Sequence, residues 1–350
     1  MNEWIDALDK LLDAGERAVL LTVAGVRGSA PREPGARMLV TSRETIGTIG
    51  GGQLEYQCTK AACRLLAEGV RPQPALRRFV LGANCGQCCG GVADVLFELV
   101  ECRRDDWFDA VRAARDERRD TMLITAVGDP STKWLVDAQG VESFGAAAPL
   151  PATVLATARA GLVPGCAAGR EDGFLLTPLT RSAFHVAVFG AGHVGTALVD
   201  VLSRIDCEVR WIDSRRNAFP TTLPDNVQAV ETAAPADEVA AMPPGAHYVI
   251  MTHSHPLDLE ICDRALRRDD AAYCGLIGSV SKRRRFERRL AKLGLSEAEL
   301  ERLVCPIRIA GIDDKRPASI AIAVAAELLQ ARDARSGVAP APRPLPAGVR

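Results

Sequence analysis

The stretch His185–Asp213, HVAVFGAGHVGTALVDVLSRIDCEVRWID, constrains the fold more than any other part of the chain. A short apolar run leads into a Gly-x-Gly-x-x-Gly pattern, then a segment with helical spacing, then a second apolar run that ends in an aspartate. In that order the glycines permit a tight turn, close approach of a phosphate and packing of helix on strand. The helix N-terminus also attracts an anion. The stretch predicts a Rossmann-type unit, and whether it still binds a dinucleotide is a separate question. The candidate cofactor contacts are Gly190, Gly192, His193, Gly195 and Asp213.

The chain has 350 residues, a length typical of two domains. Acids and bases nearly balance, at a formal net charge of −1, so composition does not favour binding to nucleic acid or to a membrane. No apolar run approaches the roughly 20 residues of a membrane span, and the acidic N-terminus does not resemble a signal peptide. We therefore expect a cytoplasmic protein whose 11 cysteines do not form a disulfide framework.

Apolar periodicity predicts the fold class and the domain limits. Strands alternate with helices in the second half of the chain, which predicts an α/β fold with a parallel sheet covered on both faces. The first half mixes helices with paired strands, which predicts an α+β domain. We expect an N-terminal α+β domain (1–150), a linker or edge segment (151–183), a Rossmann-type domain (184–332) and a disordered Pro/Ala-rich tail (333–350).

The first half also contains an internal echo. Residues 107–144 have the pattern of a helix, a strand and a hairpin, which is the order predicted for residues 4–49. The second copy lacks the glycine loops of the first. A structural repeat is therefore expected, with the functional loops in its first half.

Three consecutive glycines stand directly before a predicted helix in GTIGGGQLE (47–55). Residues without Cβ let backbone N–H groups converge on an oxyanion, helped by the helix dipole. A tight strand-to-helix turn is the alternative, but it needs one glycine rather than three. We expect an anion or cofactor site formed by Gly50, Gly51, Gly52, Gln53 and Glu55.

The segment NCGQCCGG (84–91) places three thiols, Cys85, Cys88 and Cys89, among glycines. A structural zinc site would need a second ligand pair at a suitable spacing, which the chain lacks. The Gly-Gly that follows also differs from a redox Cys-x-x-Cys that opens a helix. The loop suits a soft ligand or sulfur transfer, and thiols that merely pack are the alternative.

Two further loops follow predicted strands of the Rossmann-type domain, where open α/β sheets bind ligands. THSHPLDLE (252–260) offers His253, His255 and Asp258 for acid–base or hydrogen-bonding roles. GLIGSVSKRRRF (275–286) offers Ser279 and the cations from Lys282 to Arg285 as contacts for a phosphate or for the acidic face of a partner. The alternatives are helix caps in the first loop and a solvated basic helix in the second.

Seven motifs in a fixed order resemble the XdhC/CoxI family of xanthine dehydrogenase accessory proteins. They span about residues 5 to 330, and the double cysteine is similar to the xanthine dehydrogenase branch of the family. The motifs are GSAPREPGARMLV, GTIGGGQLE, GQCCGG, GAGHVG, THSHPLDLEI, GLIGSVSKRRRF and KRPASIAIAVAAELL.

The resemblance implies a chaperone, rather than a catalyst, for the molybdopterin form of the molybdenum cofactor. Such a protein binds the cofactor, assists its sulfuration by a cysteine desulfurase, and delivers it to the molybdenum subunit of xanthine dehydrogenase or a related hydroxylase. The family also implies a homodimer. The three N-terminal glycines then suit the phosphate, and the thiols suit the metal end, with Cys88 and Cys89 as candidate molybdenum contacts.

Two other functions remain open. An NAD(P)-dependent oxidoreductase would use Asp213 for the ribose and His253 or His255 as proton donor. A sulfur-relay protein would carry persulfide on the cysteine loop without holding the pterin. If the cofactor is a dinucleotide form, the Rossmann glycines and Asp213 suit its nucleotide half.

Overall fold

The computed structural model describes residues 3–69, 75–82, 90–100, 106–145 and 148–335. These residues form two compact units, which meet in the sequence between Arg181 and Ser182. Each unit has hydrophobic clusters of its own. Among the helices in the described ranges, none has the length and apolar character needed to cross a membrane.

The N-terminal unit contains two five-stranded antiparallel sheets flanked by helices. Its described elements are α1 (Glu3–Asp13), β1 (Ala18–Arg27), β2 (Arg37–Val40), β3 (Thr45–Gly47), α2 (Gly52–Glu68), β4 (Leu76–Val80), β5 (Val92–Val100), α3 (Asp106–Asp116), β6 (Thr121–Ala126), β7 (Lys133–Val136), β8 (Val141–Phe144), α4 (Ala152–Ala160), β9 (Gly169–Glu171) and β10 (Phe174–Leu179).

The two sheets are copies of one topology. The first has the strand order β3-β2-β1-β5-β4 and the second β8-β7-β6-β10-β9, so each strand corresponds to the one five places later. This confirms the predicted repeat and extends it beyond residue 144. Residues 151–183, expected to be a linker or edge, instead contribute α4, β9 and β10 to the second copy. Because β10 pairs with both β6 and β9, it is an interior strand of that sheet.

Matching side chains occupy matching places in the two copies. The guanidinium of Arg37, the first residue of β2, lies 4.2 Å from the ring centre of Trp4. The ammonium of Lys133, the first residue of β7, lies 4.7 Å from the ring centre of Trp107. Lys133 is buried and forms an ion pair with Glu98. Each copy therefore packs a tryptophan of its first helix against a cation of its second strand.

The C-terminal unit is a parallel sheet with helices between its strands. Its elements are β11 (His185–Phe189), α5 (His193–Leu202), β12 (Glu208–Asp213), β13 (Val227–Glu231), a 3₁₀ turn (Pro235–Val239), β14 (His247–Ile250), α6 (His255–Arg267), β15 (Tyr273–Leu276), α7 (Val280–Lys292), α8 (Glu297–Glu301), β16 (Leu303–Val304) and α9 (Pro317–Arg335).

The order of this third sheet is β13-β12-β11-β14-β15-β16, and every pairing is parallel. This is the doubly wound order of a Rossmann fold, with its direction of progression reversing between β11 and β14. The predicted fold class is confirmed. Helix α9 continues to Arg335, so the expected tail begins inside it; residues 336–350 lie outside the described ranges.

Candidate functional site

Three loops of the N-terminal unit leave the same end of the first sheet. They connect β1 to β2, β3 to α2, and β4 to β5. The register places Arg27, the last residue of β1, opposite Val92, the first of β5, which in turn pairs with Val80 at the end of β4. The sheet therefore anchors the glycine loop and the cysteine connection at one end. The predicted ligands Cys85, Cys88 and Cys89 lie outside the described residues.

These loops contact one another through glycines. A Cβ added to Gly91 would lie 2.2 Å from the carbonyl oxygen of Ser29, and one added to Gly50 would lie 2.5 Å from Cγ of Pro31. Neither distance is compatible with a larger residue. The β1–β2 loop is thus packed between the glycine loop and the end of the cysteine connection.

The three predicted glycines adopt backbone conformations that require glycine. Gly50, Gly51 and Gly52 have φ values of 122°, 70° and 62°. At Gly51 the ψ of −171° completes a combination that is essentially restricted to glycine. A Cβ at Gly51 would meet nothing within 4 Å. The loop therefore leaves open space directly before the first turn of α2.

Glu55 organises this loop from within. Its Oε2 accepts hydrogen bonds from the Thr48 hydroxyl at 2.6 Å and from the N–H groups of Gly51 at 3.0 Å and Ile49 at 3.2 Å. The sequence predicted that Glu55 contacts the ligand, whereas here its carboxylate binds its own loop. The N–H groups of Gly52, Gln53 and Leu54 start the helix and have no acceptor within it. Those donors face the open end of α2.

We expect Glu55→Ala to lower the free energy of unfolding of the N-terminal unit by about 1–2 kcal/mol, because a charged acceptor of three hydrogen bonds is lost. Urea unfolding measures the change. Glu68→Ala, at the exposed end of the same helix, is the matched control and should change stability by less than about 0.5 kcal/mol. Equal effects of the two substitutions would contradict the role given to Glu55.

In the C-terminal unit, the predicted loops meet at the carboxyl edge of the third sheet. A cleft of about 170 Å³, including its mouth, opens beside the point where the strand order reverses. None of this volume is enclosed enough to hold a water-sized group, so a ligand here would lie on the open carboxyl edge of the sheet rather than inside the cleft. The cleft is lined by Gly190, Ile212, Asp213, Ser214, Pro235, Thr252, His253 and Leu257.

Two glycines of the Gly-x-Gly-x-x-Gly pattern permit close backbone contacts. A Cβ at Gly195 would lie 2.0 Å from the carbonyl oxygen of Gly190. That oxygen also accepts a hydrogen bond of 3.1 Å from the indole N–H of buried Trp211. Gly192 differs, because a Cβ there would meet nothing within 4 Å. It leaves the backbone accessible beside His193, which is exposed at the start of α5.

The carboxylate of buried Asp213 already accepts four hydrogen bonds from its own chain. Its Oδ2 accepts from the Ala191 N–H at 2.6 Å and from the Arg215 side chain at 2.8 Å. Its Oδ1 accepts from the backbone and the Nε of Arg215 at 2.9 and 3.0 Å. Burial would raise the pKa of this carboxyl, but these donors outweigh burial and hold the pKa at about 2. A ribose would therefore have to displace Arg215 to reach the carboxylate.

Asp258 and Lys282, both predicted as ligand contacts, form a buried ion pair instead. Oδ2 of Asp258 lies 2.8 Å from Nζ of Lys282, and Asp258 is 0% exposed. Its Oδ1 accepts from the hydroxyl and the N–H of Thr252 at 2.7 and 3.0 Å. Lys282 also donates to the carbonyl of Ile277 at 2.9 Å. The network joins the ends of β14 and β15 to the helices that follow them.

The remaining predicted residues of this unit are all exposed. His253 is exposed and lines the cleft, whereas His255 is exposed on the first turn of α6. Ser279 is the N-cap of α7, where its hydroxyl accepts a hydrogen bond from the Lys282 N–H at 3.3 Å. In the part of the chain that the structure describes, no group of three or more His, Cys, Asp or Glu side chains is arranged to hold a metal ion.

Models of protein families match parts of both units. A model described as the XdhC and CoxI family matches residues 11–79, and a model described as the XdhC Rossmann domain matches residues 186–328. The two matches contain the N-terminal glycine loop and the whole carboxyl edge of the third sheet. The chain belongs to the XdhC and CoxI family.

Two individual relatives each match less than half of the chain. A Bacillus subtilis protein described as a probable component of xanthine dehydrogenase is 31% identical over 116 residues, 32% of this chain and 35% of that protein. The Escherichia coli protein YqeB, described as uncharacterised, is 28% identical over 155 residues, 43% of this chain and 28% of YqeB. The chain thus matches about a third of the length of these relatives.

A solved structure shares the fold of this XdhC-family chain over its whole length. It is from Bacillus halodurans and is described as a xanthine dehydrogenase. The TM-score is 0.71 at 22% identity, with 96% of this chain and 97% of that chain covered. The oxidoreductase alternative is not favoured, because the family models account for both units and Asp213 already has its donors.

Several residues that shape the two sites were not identified from the sequence of this XdhC-family chain. Ser29 and Pro31 lie in the motif GSAPREPGARMLV, but the motif did not indicate which segments it would contact. Thr48 and Thr252 carry no distinctive pattern, although each hydroxyl bonds a carboxylate that the sequence did mark.

Proposed function

We propose that this protein is a maturation factor for xanthine dehydrogenase or a related molybdenum hydroxylase. In this proposal the N-terminal unit binds the molybdopterin form of the molybdenum cofactor and protects it during sulfuration by a cysteine desulfurase. It then transfers the cofactor to the molybdenum subunit of the recipient enzyme. The observation that carries the proposal is the common end of the first sheet, where the glycine loop and the cysteine connection are both anchored.

The residues present fit the chemistry of this cofactor. Its phosphate needs hydrogen-bond donors, and the start of α2 offers the N–H groups of Gly52 and Gln53 beside the open space at Gly51. Its dithiolene and metal end suit soft ligands, and Cys85, Cys88 and Cys89 belong to the connection anchored next to that loop. When bound, the cofactor supplies the metal and sulfur chemistry of the recipient enzyme.

Each side chain has a separate task in this proposal. Glu55 holds the glycine loop in shape, so that donors at the start of α2 stay oriented toward the phosphate. Pro31 and Ser29 keep the loops in contact. The thiols shield the metal end from oxidation and are candidates to carry sulfur.

The test is co-purification. The protein is expressed in a host that makes the cofactor, desalted without oxygen, and assayed for molybdenum and pterin. We expect wild type to retain both, and Cys88→Ala or Gly51→Ala to lower retention by about tenfold or more, since either removes one end of the recognition. Loss in only one variant would show which end of the cofactor dominates binding.

Two matched controls separate ligand recognition from general damage. Gly15 has the same φ of 70° as Gly51 and also no neighbour within 4 Å, so Gly15→Ala reports the effect of positive φ away from the site. Cys63 is an exposed thiol on α2, so Cys63→Ala reports loss of a thiol outside the cysteine connection.

Persulfide on the cysteines without pterin would favour the sulfur-relay alternative. Bound NAD(P) without molybdenum would contradict the proposal.

A further inference from the structure

Helix α7 has an extreme charge composition that the fold does not require. Its 13 residues include seven cations and one carboxylate, in a chain whose formal net charge is −1. The buried residues of the helix are Lys282, Phe286 and Leu290, so only one of the seven cations is buried. The charges therefore need another explanation than packing.

Only two of the seven cations have a carboxylate partner within the described ranges. Lys282 pairs with Asp258 in the core, and Arg283 contacts Glu287 at 2.6 Å on the same helix. The other five are exposed, and none of them forms an ion pair with any acid in the described ranges of the chain. These five residues, the basic face of α7, are Arg284, Arg285, Arg288, Arg289 and Lys292.

Some arginines on other helices have acidic partners. On the preceding helix, α6, Arg264 pairs with Glu260 and Asp237, and Arg267 pairs with Asp263. On α3, Arg112 pairs with Asp9 of α1. Exposed Arg64 on α2 and Arg159 on α4, by contrast, form no ion pair within the described ranges. What distinguishes α7 is that five such cations lie on one helix.

This clustering of cations weakens the isolated helix. Arg284 and Arg288, and likewise Arg285 and Arg289, are like charges four residues apart, which repel one another on a helix surface. None of these four arginines forms an ion pair within the described ranges that would offset this repulsion; Arg288 donates instead to the carbonyl of Arg284 at 3.1 Å. An acidic partner would offset it, because each cation would gain an opposite charge.

We propose that the basic face of α7 docks against an acidic surface of the protein that receives the cofactor. Exposed apolar residues at the two ends of the helix, Val280 and Leu293 at 55% and 53% exposure, add contacts suited to a protein rather than to a phosphate backbone. This docking role rests on the proposed function, since it names the surface used in delivery.

The experiment measures binding of the full chain to the xanthine dehydrogenase encoded in the same genome, produced without its cofactor. The variant R285E/R289E is expected to lower affinity by about tenfold or more, mainly through slower association at low salt. Binding of wild type should weaken steeply as salt is raised. R285Q/R289Q, which removes charge without reversing it, should give a smaller loss in the same direction.

The control R159E/R204E makes the same change in net charge on exposed residues of α4 and of the segment after α5, and it should bind like wild type. Equal losses in this control and in the α7 variant would overturn the proposal. A wild type that retains cofactor but does not bind the dehydrogenase would overturn docking and leave cofactor binding intact. Binding of the full chain through α7 to a short duplex DNA would also overturn it. A change in the self-association of R285E/R289E, with binding to the dehydrogenase intact, would do the same.

Discussion

Asp258→Asn is expected to lower the free energy of unfolding of the C-terminal unit by about 3–5 kcal/mol, because it leaves the ammonium of Lys282 buried without its counter-charge. The substitution keeps the shape of the side chain and an acceptor for Thr252, so the effect reports charge rather than volume. Urea unfolding followed by circular dichroism measures it.

Asp263→Asn is the matched control, since Asp263 lies on the same helix and its partner Arg267 is 45% exposed. An exposed pair contributes at most about 1 kcal/mol. The double variant Asp258→Asn/Lys282→Met should be more stable than the sum of the single effects predicts, because no unpaired charge remains. If Asp258→Asn and Asp263→Asn are equally mild, the buried pair is not the organising contact at this edge of the sheet.

The second large effect is a loss of folding stability at low pH. His247 is 3% exposed on β14, and neither ring nitrogen makes a hydrogen bond in the described chain. Burial lowers the pKa of His247 from 6.5 to about 4, and the nearby charges of Arg335 and Arg332 act in the same direction, while the carbonyls of His185 and Gly245 oppose it. The folded protein therefore keeps this imidazole neutral where an unfolded chain would protonate it.

Unfolding consequently takes up a proton between pH 6.5 and pH 4, so stability is complete above pH 6.5 and falls as the pH decreases through this window. The total loss is about 3 kcal/mol by pH 4. Unfolding curves at several pH values for wild type and His247→Phe measure this contribution. Phenylalanine suits a site between the rings of Phe184 and Tyr273.

The comparison with His247→Phe isolates the imidazole from other acid-sensitive groups. Burial raises the pKa of Glu327, which changes stability in the opposite sense, but that carboxyl is present in both proteins. Asp213, with its pKa near 2, loses its contribution only below about pH 3.8. Parallel stability curves for the two proteins between pH 6.5 and 4 would contradict the assignment to His247.

The local pattern predicted the C-terminal unit well, for a physical reason. A Gly-x-Gly-x-x-Gly turn between two apolar runs leaves few other backbone solutions, because a Cβ at position 195 would lie only 2.0 Å from the carbonyl oxygen of Gly190. Parallel strands then require helical crossovers. The strand order follows from these rules, and the third sheet has it.

The segment 151–183 was harder to predict because its elements have little amphipathic contrast. Helix α4 buries only Val154 and Ala158, and β9 is three residues long. Their structure depends on the second sheet, which supplies β6 as the partner of β10. Burial against distant strands overrode a local composition typical of loops.

Residue types and short spacings were enough to identify the family, the Rossmann fold and the loops that carry glycines and thiols. The partners of the charged groups are visible only in the folded structure. Asp213 binds Arg215, Glu55 binds its own loop, and Lys282 binds Asp258. The choices of Asp213 and Glu55 depend on the exact backbone conformation of one loop, and that of Lys282 depends on how two successive helices approach each other. Spacing along the chain specifies neither, and a buried charge takes the nearest partner that the fold supplies.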